Sequence, residues 1–307
     1  MLLFYKKIRN APGKNLISMF ATCILHREKH GAFFIRNTIK RKTGMLKMKF
    51  LSLLAMSVLA VSLSAETVKY DLQKEFSKVK TATVEGEVLT FKGPGTLAFP
   101  AIKFDPAAKY TLNVDLKQVP GAKTFPVHYG FYCYDSKGRQ IPHHHVAITQ
   151  KTATVLAADA KVGDKTITVK DASNWKKDYW IAFNAKADLS DLPNRELVRA
   201  GKSIEKKGDV WIVTLTTPLK KAYAAGTAVR EHSSGGYIYV QSGVKVGADW
   251  KTISGEVSGL NPLTNGGYNK KFWPGTVTIR PMLLLNWNWS VKDSAVQVRN
   301  VNLTITK

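Results

Sequence analysis

The stretch that decides the fold of this chain is VHYGFYCYDSKGR, from Val127 to Arg139. Its first eight residues alternate with a period of two, the spacing of side chains along a β-strand. One face of that strand carries Val127, Tyr129, Phe131 and Cys133. The other face carries His128, Gly130, Tyr132 and Tyr134. The DSKG segment that follows supplies turn residues, with Gly138 free to take a positive φ, so the stretch predicts a β-hairpin.

The chain on both sides of this hairpin shows the same alternating pattern. Short alternating runs recur between Gly, Pro, Asn and Asp, and no stretch keeps a 3.6-residue apolar stripe for three turns. Candidate strands are Val88–Phe91, Thr96–Phe99, Tyr110–Leu116, Val127–Tyr134, His144–Thr149, Lys165–Val169, Trp180–Phe183, Val210–Leu215, Tyr237–Val240, Lys251–Val257, Thr276–Leu285 and Ala295–Thr306. This pattern predicts an all-β protein built from sandwiches or barrels.

The N-terminal region predicts export. Lys47 and Lys49 precede an uncharged apolar run from Phe50 to Leu63, and small residues follow up to Ala65, which are the three parts of a secretory signal peptide. The apolar run of 14 residues is shorter than the ~17–25 residues of a membrane-spanning helix. We expect cleavage near Ala65 and a secreted or periplasmic mature chain without a transmembrane segment. A signal-anchor with a cytoplasmic tail is the alternative.

The positive charge is concentrated at the N-terminus. The formal net charge is +24, but residues 1–47 hold 11 basic residues and one acidic residue. From Glu66 onward there are 34 basic and 21 acidic residues, a surplus of 13. Translation that starts at Met45 or Met48 would explain residues 1–47 as an extension outside the fold. Because a nucleic-acid role fits poorly with an export signal, we expect no nucleic-acid partner.

Composition sets further limits on the class of protein. Hydrophobic residues make up 44% of the 307 residues and aromatic residues 10%, which excludes a disordered or collagen-like chain. The exported part keeps one cysteine, Cys133, so packing must stabilise the fold without an internal disulfide. Its apolar neighbours predict that Cys133 is a small buried side chain.

Residues 151–231 resemble a small β-module found in phage tail and bacterial surface proteins. The matching features are GDKTITV from Gly163 to Val169 and LKKAYAAGTAV from Leu219 to Val229. Lys177-Asp178 departs from the Gly-Asp usual in such modules. The resemblance implies a small β-barrel-like module and says nothing about a ligand.

The flanking parts are similar to β-sandwich carbohydrate-binding modules of secreted polysaccharide-degrading systems, which have a jelly-roll, galactose-binding-like fold. The matching features are YTLNV from Tyr110, YDSKG from Tyr134, WKTISG from Trp250 and NVNL from Asn300. The resemblance implies one jelly-roll sandwich, made of residues 66–150 and 232–307 and interrupted by the module at 151–231. The signal peptide would be 48–65.

Catalytic motifs are absent or incomplete. Arg195-Glu-Leu-Val-Arg199 is similar to an Arg-x-Glu-Leu-x-Arg motif of jelly-roll alginate lyases, but one residue is missing and no Gln-x-His accompanies it. The paired acids of sandwich glycosidases and the Gly-x-Ser-x-Gly elbow are also absent. The triple histidine 143–145 and His128 are candidate metal ligands, but no acid lies among them to complete a set. We therefore predict no catalytic residue, no metal ligand and no cofactor, with a structural calcium ion left open.

Aromatic side chains are the best candidates for function, because sugar rings stack on indole and phenol rings while imidazole and guanidinium groups pair with hydroxyls or acidic groups. The predicted ligand contacts are His128, Tyr132, Tyr134, His143, His145, Trp273, Arg280, Trp287 and Trp289. Strand alternation in the histidine segment places His144 with the core and its two neighbours outward. Trp287 and Trp289 are either core residues or a ligand platform, Trp250 is expected in the sandwich core, and Trp175, Trp180 and Trp211 in the module core.

These observations predict a secreted, non-catalytic protein that binds a polysaccharide or cell-surface glycan. The surplus of positive charge favours an anionic one. The alternatives are a polysaccharide lyase or glycoside hydrolase on the same scaffold and a structural or adhesive surface protein.

Overall fold

The computed structural model describes residues 64–261, 270–285, 291 and 293–307. In that part of the chain the fold is all-β, as predicted, with one short α-helix, α1 (Leu72–Phe76). The strands of the first half are β1 (Ala65–Lys69), β2 (Ala82–Glu85), β3 (Val88–Lys92), β4 (Gly95–Ala98), β5 (Ile102–Lys103), β6 (Lys109–Gln118) and β7 (Pro126–Tyr134). The later strands are β8 (Thr154–Val155), β9 (Thr166–Val169), β10 (Trp180–Phe183), β11 (Leu197–Lys207), β12 (Val210–Leu215), β13 (Ala228–His232), β14 (Ile238–Lys245), β15 (Lys251–Ser258), β16 (Thr278–Leu285) and β17 (Ala295–Thr306).

Two antiparallel sheets form a β-sandwich. The first has the strand order β15-β6-β17-β3-β2, with β1 paired to β17. The second has the order β14-β7-β16-β4, with β5 paired to β16. Their strands come from both ends of the described chain, so neither sheet is complete without the C-terminal third. The β-sandwich prediction is confirmed.

The sandwich core follows from the alternation of the deciding stretch. Val127, Tyr129, Phe131 and Cys133 of β7 are all fully buried between the sheets, so the prediction for Cys133 is confirmed. Phe272 is also fully buried, and its ring centroid lies 5.3 Å from that of Tyr110 in the facing sheet and 5.4 Å from that of Phe131. Each such side chain contributes about 1.5–3 kcal/mol by leaving water.

A third antiparallel sheet comes entirely from residues 154–232, with the order β8-β13-β10-β11-β12-β9. It has its own hydrophobic cluster, which includes Trp175 and has Trp211 packed against it. The six described strands do not close into a barrel, and the end strands meet only at an isolated bridge between Leu156 and Val169. We refer to residues 151–231 as the inserted segment.

Two local predictions were wrong. The expected strand His144–Thr149 is a 3-10 turn over His143–His145, followed by a bridge between Ile148 and His232. Trp250 is absent from the sandwich core: it is half-buried, and the Arg299 guanidinium lies 4.1 Å from its ring centroid. No helix in the described part of the chain is long and apolar enough to cross a bilayer.

Candidate functional site

The outer face of the five-stranded sheet carries aromatic side chains. In β7, His128, Tyr132 and Tyr134 alternate with the buried core residues and are half-buried. The register of β7 with β16 places Arg280 opposite Tyr132, and pairing with β14 brings Tyr239 onto the same sheet. Because the face opposite a core is ordinarily polar, a run of rings there is a candidate for ligand contact.

Four of these rings contact one another in sequence. His128 and Tyr239 have ring centroids 5.3 Å apart, and Tyr239 and Tyr237 have centroids 6.3 Å apart. Tyr237 meets Tyr132 edge-to-face at 4.6 Å. We call these four side chains the aromatic row. Mutual contact restricts the rotamers of the rings, which lowers the entropic cost of stacking a ligand on them.

Hydrogen bonds fix the tautomer of His128. The Gly243 backbone N–H donates to His128 Nδ1 at 3.2 Å, and the Ser242 hydroxyl oxygen lies 2.8 Å from the same nitrogen. Nδ1 therefore accepts, and the ring proton is on Nε2. Burial lowers the pKa of His128, which keeps the ring neutral at pH 7. The side chain is thus a neutral imidazole with Nε2–H as its donor.

A cavity of about 450 Å³ opens beside the aromatic row. Its lining residues are His128, Pro142, His143, His144, Gly235, Gly236, Tyr237, Tyr239 and Ser242. None of these side chains is a carboxylate, an ammonium or a guanidinium group. The lining therefore offers rings, imidazole nitrogens and hydroxyls, which suit a ligand with flat C–H faces and many hydroxyl groups.

Two glycines in one wall of this cavity allow the backbone there to pack closely against two rings. A Cβ added at Gly235 would lie 2.6 Å from the His143 ring, and one added at Gly236 would lie 2.8 Å from the Tyr239 ring. Both distances are shorter than a side chain tolerates. The backbone can therefore approach the two rings only because neither position carries a side chain.

The histidine turn differs from the predicted strand in which side chains it buries. His143 is 6% exposed and meets Trp273 edge-to-face, with ring centroids 5.9 Å apart. His144 is half-buried and stacks on Trp180, with centroids 4.1 Å apart and planes within 10°. The expectation that His144 faces the core and His143 faces outward was wrong, because a 3-10 turn does not alternate its side chains as a strand does.

Burial keeps two histidines of this turn, His144 and His145, neutral. It lowers the pKa of His144 to about 4 and that of His145 to about 3, and neighbouring histidines and Arg195 add to both shifts. Nδ1 of His145 is buried and has no hydrogen-bond partner in the described part of the chain. At neutral pH His144 and His145 therefore contribute imidazole groups without positive charge.

The inserted segment holds the histidine turn from the other side. The backbone N–H of Asn194 donates to the His145 carbonyl oxygen at 2.8 Å, and the Nδ1–H of His232, the residue directly after the segment, donates to the His144 carbonyl oxygen at 2.8 Å. The indole N–H of Trp180 donates to the Ser234 hydroxyl at 3.1 Å, beside the glycine wall. Trp180 was expected in the core of the inserted segment and lies instead at this contact.

A buried ion pair joins the hairpin turn to the inserted segment. Asp135 is 8% exposed and accepts hydrogen bonds from Arg195 Nη2 at 2.8 Å and Arg139 Nε at 2.9 Å. Arg195 also donates to the Gln140 carbonyl oxygen at 2.9 Å. Arg195, the first residue of the incomplete lyase-like motif, thus connects the inserted segment to the sandwich.

The structure brings together part of the predicted ligand set. His128 and His143 line the cavity, and Tyr132 belongs to the aromatic row. Tyr134 lies on the same face beneath Arg280, whose Cζ is 5.8 Å from the ring centroid.

The other predicted contacts lie elsewhere. His145 does not line the cavity, and Trp273 is 5% exposed in the sandwich core rather than displayed in a loop. Trp287 and Trp289 lie outside the described residues.

Tyr237, Tyr239 and His144 complete the site and were not predicted. The two tyrosines flank buried Ile238, so their period-two spacing was the available signal. Their approach to His128 depends on the register of β14, which shifts twice along β7. Among the described residues, no group of three or more His, Cys, Asp and Glu is arranged to hold a metal ion.

Comparisons with known proteins add little to this geometry. No protein-family model matches the chain, and no curated protein matches it. A crystal structure of A. japonicus CB05 is similar at 11% sequence identity with a TM-score of 0.16. The similarity covers 79% of this chain and 34% of that one, so the present chain spans about a third of its length. A similarity this weak carries no argument about fold or function.

Proposed function

We propose that this chain is an exported, non-catalytic carbohydrate-binding protein with a jelly-roll sandwich, and that it holds a sugar ring in the cavity beside the aromatic row. One observation carries the proposal: phenol and imidazole rings cluster on a sheet face that borders a cavity of about 450 Å³, whose lining contains no carboxylate, ammonium or guanidinium group. Aromatic faces bind the C–H faces of a sugar, and fixed polar groups bind its hydroxyls.

The polar groups around the cavity support this proposal. His128 presents Nε2–H because Nδ1 already accepts a hydrogen bond, and its ring stays neutral at pH 7. A neutral donor binds a hydroxyl oxygen without requiring a counter-ion. The aromatic row continues beyond the cavity to Tyr132, so a chain of sugars has further rings to contact.

A panel of neutral and acidic polysaccharides tests the proposal. The purified protein should bind at least one of them, and Tyr237→Ala and Tyr239→Ala should each weaken that binding about 10-fold or more. Tyr179→Ala is the matched control, since Tyr179 is a half-buried tyrosine of the inserted segment that does not line the cavity. Its affinity should equal that of the parent.

The same panel separates this proposal from its alternatives. Unsaturated or shortened products in the binding mixtures would show a lyase or hydrolase and overturn the non-catalytic assignment. Absence of binding to every polysaccharide would favour a structural surface protein instead.

A further inference from the structure

The five-stranded sheet has an unusual charge composition. Strands β4, β5, β7, β14 and β16 contain no Asp or Glu. They do contain three cationic residues, Lys103, Lys245 and Arg280. The six-stranded sheet of the same sandwich carries acids, including Glu85, and has Asp115 bound to Arg299. The strands of the sheet that bears the aromatic row therefore carry positive charge without any acidic side chain to neutralise it.

Arg280 is exceptional among the arginines of the described chain. The other five each lie within 4 Å of a carboxylate oxygen: Arg139, Arg195, Arg199, Arg230 and Arg299. Arg280 has no such partner among the described residues, and its Nε is buried without a hydrogen-bond acceptor. Half-buried guanidinium groups are normally paired, because their desolvation is costly when it is not offset.

Arg280 lies next to the end of the aromatic row that is farther from the cavity. It lies opposite Tyr132 in the β7–β16 pair, and the Tyr132 ring contacts Tyr237, which lines the cavity, at 4.6 Å. Its Cζ stands 5.8 Å from the Tyr134 ring centroid, a cation–π contact that helps to orient the guanidinium group. A ligand that leaves the cavity along the aromatic row therefore reaches Arg280 next.

We infer that Arg280 binds an acidic group of the glycan, a carboxylate or a sulfate, while the cavity holds a neighbouring uncharged sugar ring. This inference rests on the proposed carbohydrate-binding function and names the class of glycan. A guanidinium group pairs with planar or tetrahedral oxyanions through two parallel N–H donors, so an incoming acid would supply the acceptors that Arg280 lacks within the chain.

The test measures binding of three probes: a uronic-acid polysaccharide, its carboxyl-reduced form and a sulfated polysaccharide of the same backbone. We expect the parent to prefer one or both acidic forms over the reduced form. Arg280→Gln should lower affinity for the preferred acidic form about 10- to 100-fold and leave binding of the reduced form within about two-fold. Arg280→Lys should retain part of the preference, since it keeps the charge and loses the fork of donors.

Arg199→Gln is the matched control. It also removes one positive charge, from a half-exposed arginine of the inserted segment, and should leave all three affinities unchanged if the effect at Arg280 is local. Thermal unfolding of each variant checks that the fold persists. Arg280→Lys supplies the test if Arg280→Gln does not fold.

The outcomes distinguish a failure of this inference from a failure of the proposed carbohydrate-binding function. If the parent binds no polysaccharide, neither these probes nor any member of the wider panel, the carbohydrate-binding proposal fails. If it binds only neutral polysaccharides of the panel, the assignment of Arg280 alone is overturned. That assignment alone is also overturned by either of two further results. In one, the parent binds the reduced and acidic forms with equal affinity, and in the other, Arg280→Gln weakens the binding of all three probes equally. Loss of the acidic preference in the Arg199→Gln control would also overturn it, because net charge would then be the cause.

Discussion

Replacement of Asp135 by Asn tests whether a buried ion pair fastens the sandwich to the inserted segment. The carboxylate accepts hydrogen bonds from the Lys137 and Arg139 backbone N–H groups at 2.9 and 3.0 Å, and from the Arg195 guanidinium at 2.8 Å. Asn has nearly the same shape and keeps an oxygen for the turn N–H groups. The substitution therefore removes the charge and leaves most of the turn geometry in place.

The magnitude follows from the pKa of Asp135. Burial by itself raises this pKa, but the hydrogen bonds from Arg139 and Lys137 and the charge of Arg195 outweigh it and lower the pKa from 3.8 to about 2. One pKa unit corresponds to about 1.4 kcal/mol, so the ionised carboxylate stabilises the folded state by about 2 kcal/mol at pH 7. Because the folded-state pKa is the lower one, this stabilisation is complete above about pH 5 and is lost as the pH falls toward 2.

Urea unfolding at several pH values provides the assay. Asp135→Asn should unfold with about 2 kcal/mol less free energy than the parent at pH 7, and the difference should shrink to roughly half by pH 3. Arg139→Gln is the control, since the Arg139 side chain is 52% exposed and its loss should cost at most about 1 kcal/mol. A difference that stays constant from pH 7 to pH 3, or no difference at pH 7, would refute the assignment of a buried, ionised Asp135.

Three further predictions concern the inserted segment and the N-terminus. Trp180→Phe removes the indole N–H donor to Ser234 while it keeps a ring against His144, so it should cost about 1 kcal/mol of stability and weaken glycan binding less than Trp180→Ala in the same titration. We propose that residues 151–231 are a self-contained module; their replacement by a short Gly/Ser linker should leave a cooperatively unfolding sandwich by circular dichroism that binds glycan weakly, and loss of all folded signal would contradict this. N-terminal sequencing of the exported protein should begin within a residue or two of Ala65, and a mature chain that retains residues 1–44 would exclude cleavage.

The sequence predicts those parts of the fold that depend on local pattern. The alternation of Val127, Tyr129, Phe131 and Cys133 fixes which face of β7 is buried, and all four are buried. Gly138 has φ of 70° in the turn that follows, as the turn chemistry requires. Such features need only neighbouring residues, so one sequence suffices to find them.

The parts that were not predicted depend on contacts between distant residues. The segment His144, Val146 and Ile148 alternates like a strand, yet the Asn194 N–H and the His232 ring hold the preceding turn through its carbonyl oxygens. The length of β11 was not predicted either, because its run of Ala, Gly, Lys and Ser carries no clear apolar alternation. The irregular register of β14, which brings Tyr239 to His128, likewise leaves no local signal.

The location of the cavity predicts that the inserted segment influences the proposed glycan binding, although the segment lines none of the cavity. All nine lining residues lie between 128 and 144 or between 235 and 242, on the chain just before the segment leaves the sandwich and just after it returns. The bridge between Ile148 and His232 ties these two crossings together, and Trp180 contacts one wall through His144 and approaches the other through Ser234. A shift of the segment would therefore move both walls at once. Affinity for the glycan should depend on contacts such as Asp135–Arg195 that lie outside the cavity, as positioning residues do.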